Sequence, residues 1–144
     1  MKDWQDKMKV KVVTVSPYDS VRKAYEIMND RVIRHLLVTD GGTLHGIVSD
    51  RDILKVVDID ENGIPSYPHM TIDQIMITDL KTCDYNADTE EICKTLLDNH
   101  IDCVPIVDGD EIKGLITSRD LVALLLEIDR GKNRQAFDFG IAPE

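Results

Sequence analysis

The sequence has no apolar run that approaches the length of a membrane-spanning helix. Its opening residues, Met1-Lys2-Asp3-Trp4-Gln5-Asp6, lack the apolar stretch of a secretory signal, so a cytoplasmic location is expected. Positive charge is scarce. Seventeen Lys and Arg stand against 27 Asp and Glu, giving a formal net charge of −10 over 144 residues. Most of such a surface repels a phosphate backbone, so nucleic acid is not expected as a partner, and the lack of a spanning run leaves no membrane expected either. A small anionic ligand held by a local pair of arginines remains compatible with that charge. Cysteine is rare and odd in number: Cys83, Cys93 and Cys103, with no Cys-x-x-Cys pair. These read as free thiols in small apolar positions. His35, His45, His69 and His100 are too scattered to complete a zinc site. Also missing are a Walker or GxGxxG loop, metal-ligand spacing, and a nucleophile with a base beside it, so no enzyme is expected.

What the sequence does contain is a repeat at an offset of 68 residues. Gly46-Ile47-Val48-Ser49-Asp50-Arg51-Asp52 returns as Gly114-Leu115-Ile116-Thr117-Ser118-Arg119-Asp120. The same register places Met8 on Met76, Thr14 on Thr82, Asp30 on Asp98, Ile33 on Ile101 and Asp40-Gly41 on Asp108-Gly109. Between these anchors apolar residues exchange for apolar ones. The chain is therefore a tandem, and a site in one copy has a counterpart in the other. Each copy is about 55 residues, marginal on its own by surface-to-volume scaling, so the two are expected to fold together.

The organisation follows from periodicity. The first repeat runs from Asp3 to Val57 and the second from Thr71 to Glu127. Residues 58–70 are acidic and carry Gly63, Pro65 and Pro68, which reads as a linker or extended arm. Residues 128–144 form a tail whose Phe137 and Phe139 suggest that it docks. Ser20 precedes Val21, Ala24, Tyr25, Met28 and Val32, the spacing of a serine-capped amphipathic helix. Its counterpart starts at Asp88, with Ile92, Cys93, Leu96 and Leu97 on the buried stripe and Glu91 placed for a capping box. Strands are expected at Val12–Val15, Leu36–Val38 and Leu44–Val48, and again at Lys81–Cys83, Val104–Val107 and Ile112–Ile116. Asp40-Gly41-Gly42 and Asp108-Gly109-Asp110 are tight-turn sequences. A second helix begins at Asp50 and at Ser118, the later one continuing through Leu121, Val122, Leu124, Leu125 and Ile128.

The junction Gly-apolar-apolar-Ser/Thr-x-Arg-Asp carries the most chemistry. Glycine admits a ligand or another backbone at close range. Unpaired backbone N–H groups and an arginine at a helix start suit an anion. A carboxylate nearby accepts hydrogen bonds from a pair of sugar hydroxyls, so the group is fitted to a ribose and its phosphate. The same Ser/Thr and Asp, three residues apart, are equally a helix capping box that needs no ligand. Arg51 and Arg119 read also as solvated helix residues paired with nearby acids, and His35 as a half-buried structural histidine.

Each repeat resembles a cystathionine beta-synthase (CBS) motif, and the pair resembles a Bateman module, over about residues 3 to 127. The residues that carry this are Thr14-Val15-Ser16-Pro17, Ala24 and Met28, Ile33 to Asp40, and Gly46 to Asp52. In the second copy they are Asp88-Thr89-Glu90-Glu91, Ile101 to Asp108, and Gly114 to Asp120. The lead-ins Gln5-Asp6-Lys7-Met8 and Asp73-Gln74-Ile75-Met76 match as well.

The resemblance implies an α+β fold of two pseudo-symmetric β-α-β-β-α motifs packed through their sheets, with clefts between them and a tendency to pair as homodimers. It implies a non-catalytic regulatory module that binds AMP, ADP, ATP or S-adenosylmethionine and signals to another protein, with no required cofactor. A ligand-independent dimerisation or protein-interaction module is the alternative, with the apolar helix after Ser118 as its interface. By residue, Ser49 with Asp52 and Thr117 with Asp120 match the ribose-binding pair. Arg51, Arg119 and Arg34 match phosphate-side positions. Val15 and Cys83 match the first strand, whose backbone borders the adenine, and Ile47 and Leu115 match positions that pack on the base. His35 is a further candidate contact. The copies differ where Asp102 replaces Arg34 and Leu37 stands where the second copy has Pro105, so the two sites are expected to be unequal.

Overall fold

A computed structural model describes the backbone of residues 3–138 and the side chains of residues 3–131. The two sequence repeats reappear as two small three-stranded sheets with the same order and the same register. In the first, β1 (Thr14–Val15) runs parallel to β2 (His35–Asp40), which pairs antiparallel with β3 (Thr43–Ser49). In the second, β6 (Cys83–Asp84) stands likewise to β7 (Cys103–Asp108) and β8 (Glu111–Thr117). Val15 pairs with Val38, and Cys83 with Ile106, each partner again 68 residues on. The register shift after Val38 recurs after Ile106. Between β2 and β3, Gly41 and Gly42 adopt φ of 59° and 82°, which lets two residues close the hairpin.

The helices follow their caps. In α1 (Val21–Arg31) the Ser20 hydroxyl accepts from the Lys23 N–H, and in α3 (Thr89–Asp98) the Asp88 carboxylate accepts from the Glu91 N–H at 2.8 Å. Val21, Ala24 and Met28 are buried along α1, Ile92 and Leu96 along α3. Both helices end in the same left-handed turn. Ile33 N–H bonds back to Met28, and Ile101 N–H to Leu96, over Val32 and His100, each at φ 54°. This corrects two expectations from the apolar stripes. Val32 lies beyond the helix, where the turn carries it away from the core, and is 89% exposed; Leu97 lies within α3, one residue and about 100° round from the buried Leu96, and is 72% exposed.

The short α2 (Asp50–Leu54) and the long α4 (Ser118–Asp138) begin where expected. The presumed tail continues α4 without a break to Asp138. The side chain of Phe137 and all of Phe139 lie outside the described residues, so the docking of the tail does too. The stretch between the repeats is a small hairpin rather than a plain linker. β4 (Asp58–Ile59) pairs with β5 (Pro65–Ser66), and Tyr67 then packs edge-on against Tyr25 with Arg22 over its ring.

The compact units do not coincide with the sequence repeats. One unit is Val12–Leu80, and the other joins Met1–Lys11 to Lys81–Glu144. Each lead-in segment thus packs with the repeat that ends upstream of it or far downstream. Ile77 bridges to Ile47 of β3, and Lys9 bridges to Leu115 of β8. The first core gathers Val15, Leu36, Val38, Val48, Ile53 and Ile72. The second gathers Cys83, Val104, Ile106, Ile116 and Leu124 around Trp4, which comes from the single-turn 3-10 helix Asp3–Lys7.

Candidate functional site

Alternation along the strands decides which residues share a face. In the Val12–Leu80 unit, Val15, Leu36, Val38 and Val48 point into the helix-covered core. His35, Leu37, Ile47 and Ser49 occupy the other face, with His35 paired to Ser49 and Leu37 to Ile47. The candidate Val15 is therefore turned away from this face, and Cys83 from the equivalent face of its own sheet. They are 4% and 3% exposed, buried in their own cores. Burial raises the Cys83 thiol pKa above the usual range, opposed by its 3.3 Å hydrogen bond to the Thr95 hydroxyl.

At the end of β3 the chain turns into α2 through a complete capping box. The Asp52 N–H donates to Ser49 Oγ at 3.2 Å. Asp52 Oδ2 in turn accepts from the Ser49 N–H at 2.9 Å and from its hydroxyl at 3.0 Å. The Asp50 N–H donates to the Arg34 carbonyl at 2.9 Å, which fixes the start of β2 beside the helix start. His35, Ile47, Ser49, Arg34 and Asp52 thus come together at one end of one sheet face, with Arg51 exposed on α2. Both of the cap's bonds to the half-buried Asp52 carboxylate fall on Oδ2, and Oδ1 accepts none from the described residues.

The second unit repeats the frame with different chemistry. The Thr117 N–H donates to Asp120 Oδ2 at 2.9 Å, and the Asp120 N–H to Thr117 Oγ1 at 3.2 Å. The Ser118 N–H meets the Asp102 carbonyl at 2.8 Å, as Asp50 meets Arg34. Leu115 is buried and Arg119 is exposed. Cys103 takes the place of His35, paired with Thr117. Burial, with the charges of Asp102 and Asp120 against that of Lys9, pushes its thiol up to about 12.

Of two further features, the sequence reading left one open between alternatives and missed the other. The first concerns the junction glycines. A Cβ on Gly46 would stand 2.8 Å from Met76 Sδ and 2.9 Å from the Ile77 carbonyl, and one on Gly114 would stand 2.5 Å from the Lys9 carbonyl. Of the two uses considered for these glycines, the lead-in backbone takes the space. The second is Lys9, whose ammonium lies 2.9 Å from both oxygens of Asp120. Extending the alignment of Met8 with Met76 by one residue sets Lys9 against Ile77 and would have exposed the difference.

Among the described residues there is no cluster of His, Cys, Asp and Glu able to hold a metal, and no helix long and apolar enough to cross a membrane. At both strand-to-helix junctions a carboxylate is locked in place by the cap it builds.

Comparison with known proteins agrees with the repeat. The CBS domain model matches twice, at residues 2–59 and 72–127. The chain is 29% identical over 130 residues to protein MJ1404 of Methanocaldococcus jannaschii, covering 83% of this chain and 31% of that protein. It is 33% identical over 111 residues to the inosine-5′-monophosphate dehydrogenase of Korarchaeum cryptofilum, covering 76% of this chain and 21% of the enzyme. The chain thus spans about a third or less of these curated relatives. Among solved structures, the CBS domain pair of protein MJ0100, in complex with 5′-methylthioadenosine and S-adenosyl-L-methionine, superposes with a TM-score of 0.72 at 26% identity, covering 84% of this chain and 93% of that one. With the duplicated sheet, the duplicated caps and two matches of one family model, the chain belongs to the CBS domain family and carries two copies in tandem.

Proposed function

We propose that the chain is a regulatory, non-catalytic ligand-sensing module that binds an adenosine-containing ligand at its strand-to-helix junctions. AMP, ADP, ATP and S-adenosylmethionine all carry the adenosine half these groups address. The carrying observation is the Asp52 carboxylate, oriented by Ser49 through one oxygen and open at the other. A ribose diol donates two hydroxyls, and a carboxylate so held accepts them without rearrangement. Arg34 and Arg51 supply positive charge for a phosphate, Ile47 an apolar surface for the base and His35 a polar contact. In the second unit Thr117, Asp120, Arg119 and Leu115 take the corresponding roles, and the backbones of Val15 and Cys83 border the base. The complex of protein MJ0100 with two adenosine-containing ligands supports this reading. The bound state shifts the population of conformations that a regulated protein in the cytoplasm recognises.

Thermal melting with AMP, ADP, ATP and S-adenosylmethionine tests the reading. A ligand at a hundredfold its Kd adds about 2.7 kcal/mol of stability, a shift of several degrees. No shift with any of the four at millimolar concentration contradicts it.

One observation favours the second reading, an assembly module. On α4, Val122 and Leu125 are each 65% exposed and Leu126 is 49% exposed, an apolar strip at i, i+3 and i+4. A homodimer that buries this strip makes Leu125→Glu monomeric in sedimentation velocity. A dimer of unchanged strength in that variant removes the reading.

A further inference from the structure

Lys9 and Ile77 hold the same place in the two copies of the lead-in. Ile77 exchanges both backbone hydrogen bonds with Ile47, at 3.1 and 2.9 Å, and Lys9 does so with Leu115, at 2.9 and 3.0 Å. The backbones are equivalent, and only the side chains differ. In the first unit that side chain is apolar, and Asp52 keeps one oxygen without a partner among the described residues. In the second it is an ammonium that spans both oxygens of Asp120, one of which already accepts from Thr117.

The backbone that carries this lysine is also well anchored. Besides the bridge to Leu115, the segment is held by the Trp4 indole, which donates to the Ala87 carbonyl at 2.8 Å, and by Lys7 paired with Glu127 at 2.5 Å. A lysine on a fixed backbone gives up less freedom to hold its carboxylate than one on a loose terminus. A neutral diol that enters at Asp120 must displace this cation, while at Asp52 it meets an open oxygen. A partly exposed ion pair holds its partner by a factor of about five.

Building on the ribose reading above, we propose that Lys9 is a specificity-determining residue that closes the Asp120 carboxylate to ribose, so that the Asp52 junction fills first. The two sites are thereby ranked by a residue from the lead-in rather than from the junction itself.

Site-resolved NMR of the full 15N-labelled chain titrated with adenosine, which carries the diol and no phosphate, tests this. In the wild type the Ser49 amide reaches half-saturation at a concentration at least about fivefold below that of the Thr117 amide. In Lys9→Ile the Thr117 midpoint falls toward that of Ser49, and the Ser49 midpoint stays. Lys9→Gln, which keeps the length and removes the charge, behaves the same way and serves if the isoleucine variant does not fold. Responses at both amides whose ratio is unaffected by either substitution, or a Thr117 site already the tighter one, overturn the role of Lys9 alone. Silence of both amides in wild type and variants alike overturns the ribose reading and the proposal with it.

Discussion

Trp4 donates its indole N–H to the carbonyl of Ala87 across 83 residues of sequence. The ring is fully buried in the second core and meets Tyr85 edge-on. The lead-in that opens the first repeat is thus a structural part of the second. Trp4→Phe, which fills most of the space and leaves the Ala87 carbonyl unpaired, is expected to cost about 1–3 kcal/mol. Trp4→Ala is expected to cost about 3–5 kcal/mol. Urea denaturation of both variants checks these values, and a Trp4→Ala chain of wild-type stability contradicts the docking.

The junction glycines are expected to resist enlargement unequally. Gly114→Ala puts a methyl against the Lys9 carbonyl, which is backbone held in a bridge. Gly46→Ala meets the Met76 sulfur first, the end of a flexible side chain, and then the Ile77 carbonyl. Both are destabilising by about 1–3 kcal/mol, with Gly114→Ala the worse. Denaturation midpoints of the pair give the order.

Val32 ends α1 at φ 54° although it is β-branched and 89% exposed. A left-handed conformation disfavours such a residue by about 1–2 kcal/mol, and no packing compensates for it here. Val32→Gly is expected to raise stability by about 1 kcal/mol, read as a higher melting temperature. A lower one contradicts the described turn.

Much of this fold was legible in the sequence because its signals are local. Ser20 and Asp88 mark helix starts, the Asp-Gly turns mark hairpins, and the 68-residue offset carries each element to its copy. Ser49 with Asp52 and Thr117 with Asp120 were legible as pairs, and the structure shows that each builds the cap with its own hydrogen bonds. The placement of Trp4 and Lys9 was not legible. Their partners lie 83 and 111 residues away, and no periodicity within a short segment encodes such a pairing. Val32 was misplaced because apolar spacing continues past the residue at which the backbone leaves the helix, and Leu97 because an apolar residue beside the buried Leu96 falls on the outer flank of the same helix.

Cys103 supplies a pH-dependent signature. Burial first, then the charge of Asp102, raises its thiol from 9.0 to about 12. The unfolded chain therefore releases this proton at lower pH than the native one. The contribution to stability is full below pH 9.0 and is lost as the pH rises toward about 12. Between pH 8 and about 11, the denaturation midpoint of the wild type is expected to fall relative to that of Cys103→Val as the pH rises. A constant difference contradicts the shift.

The central claim is that capped carboxylates hold a ribose diol. The most direct measurement compares the affinity of AMP with that of its 2′,3′-dideoxy analogue by calorimetry, in the wild type and in Asp52→Asn, which keeps an acceptor for the cap. Hydrogen bonds to a carboxylate are worth about 1.5–3 kcal/mol each. The account predicts that the dideoxy analogue binds the wild type at least about tenfold more weakly, and that Asp52→Asn removes most of that preference. Equal affinity of the two nucleotides for the wild type, or a preference untouched in Asp52→Asn, contradicts it.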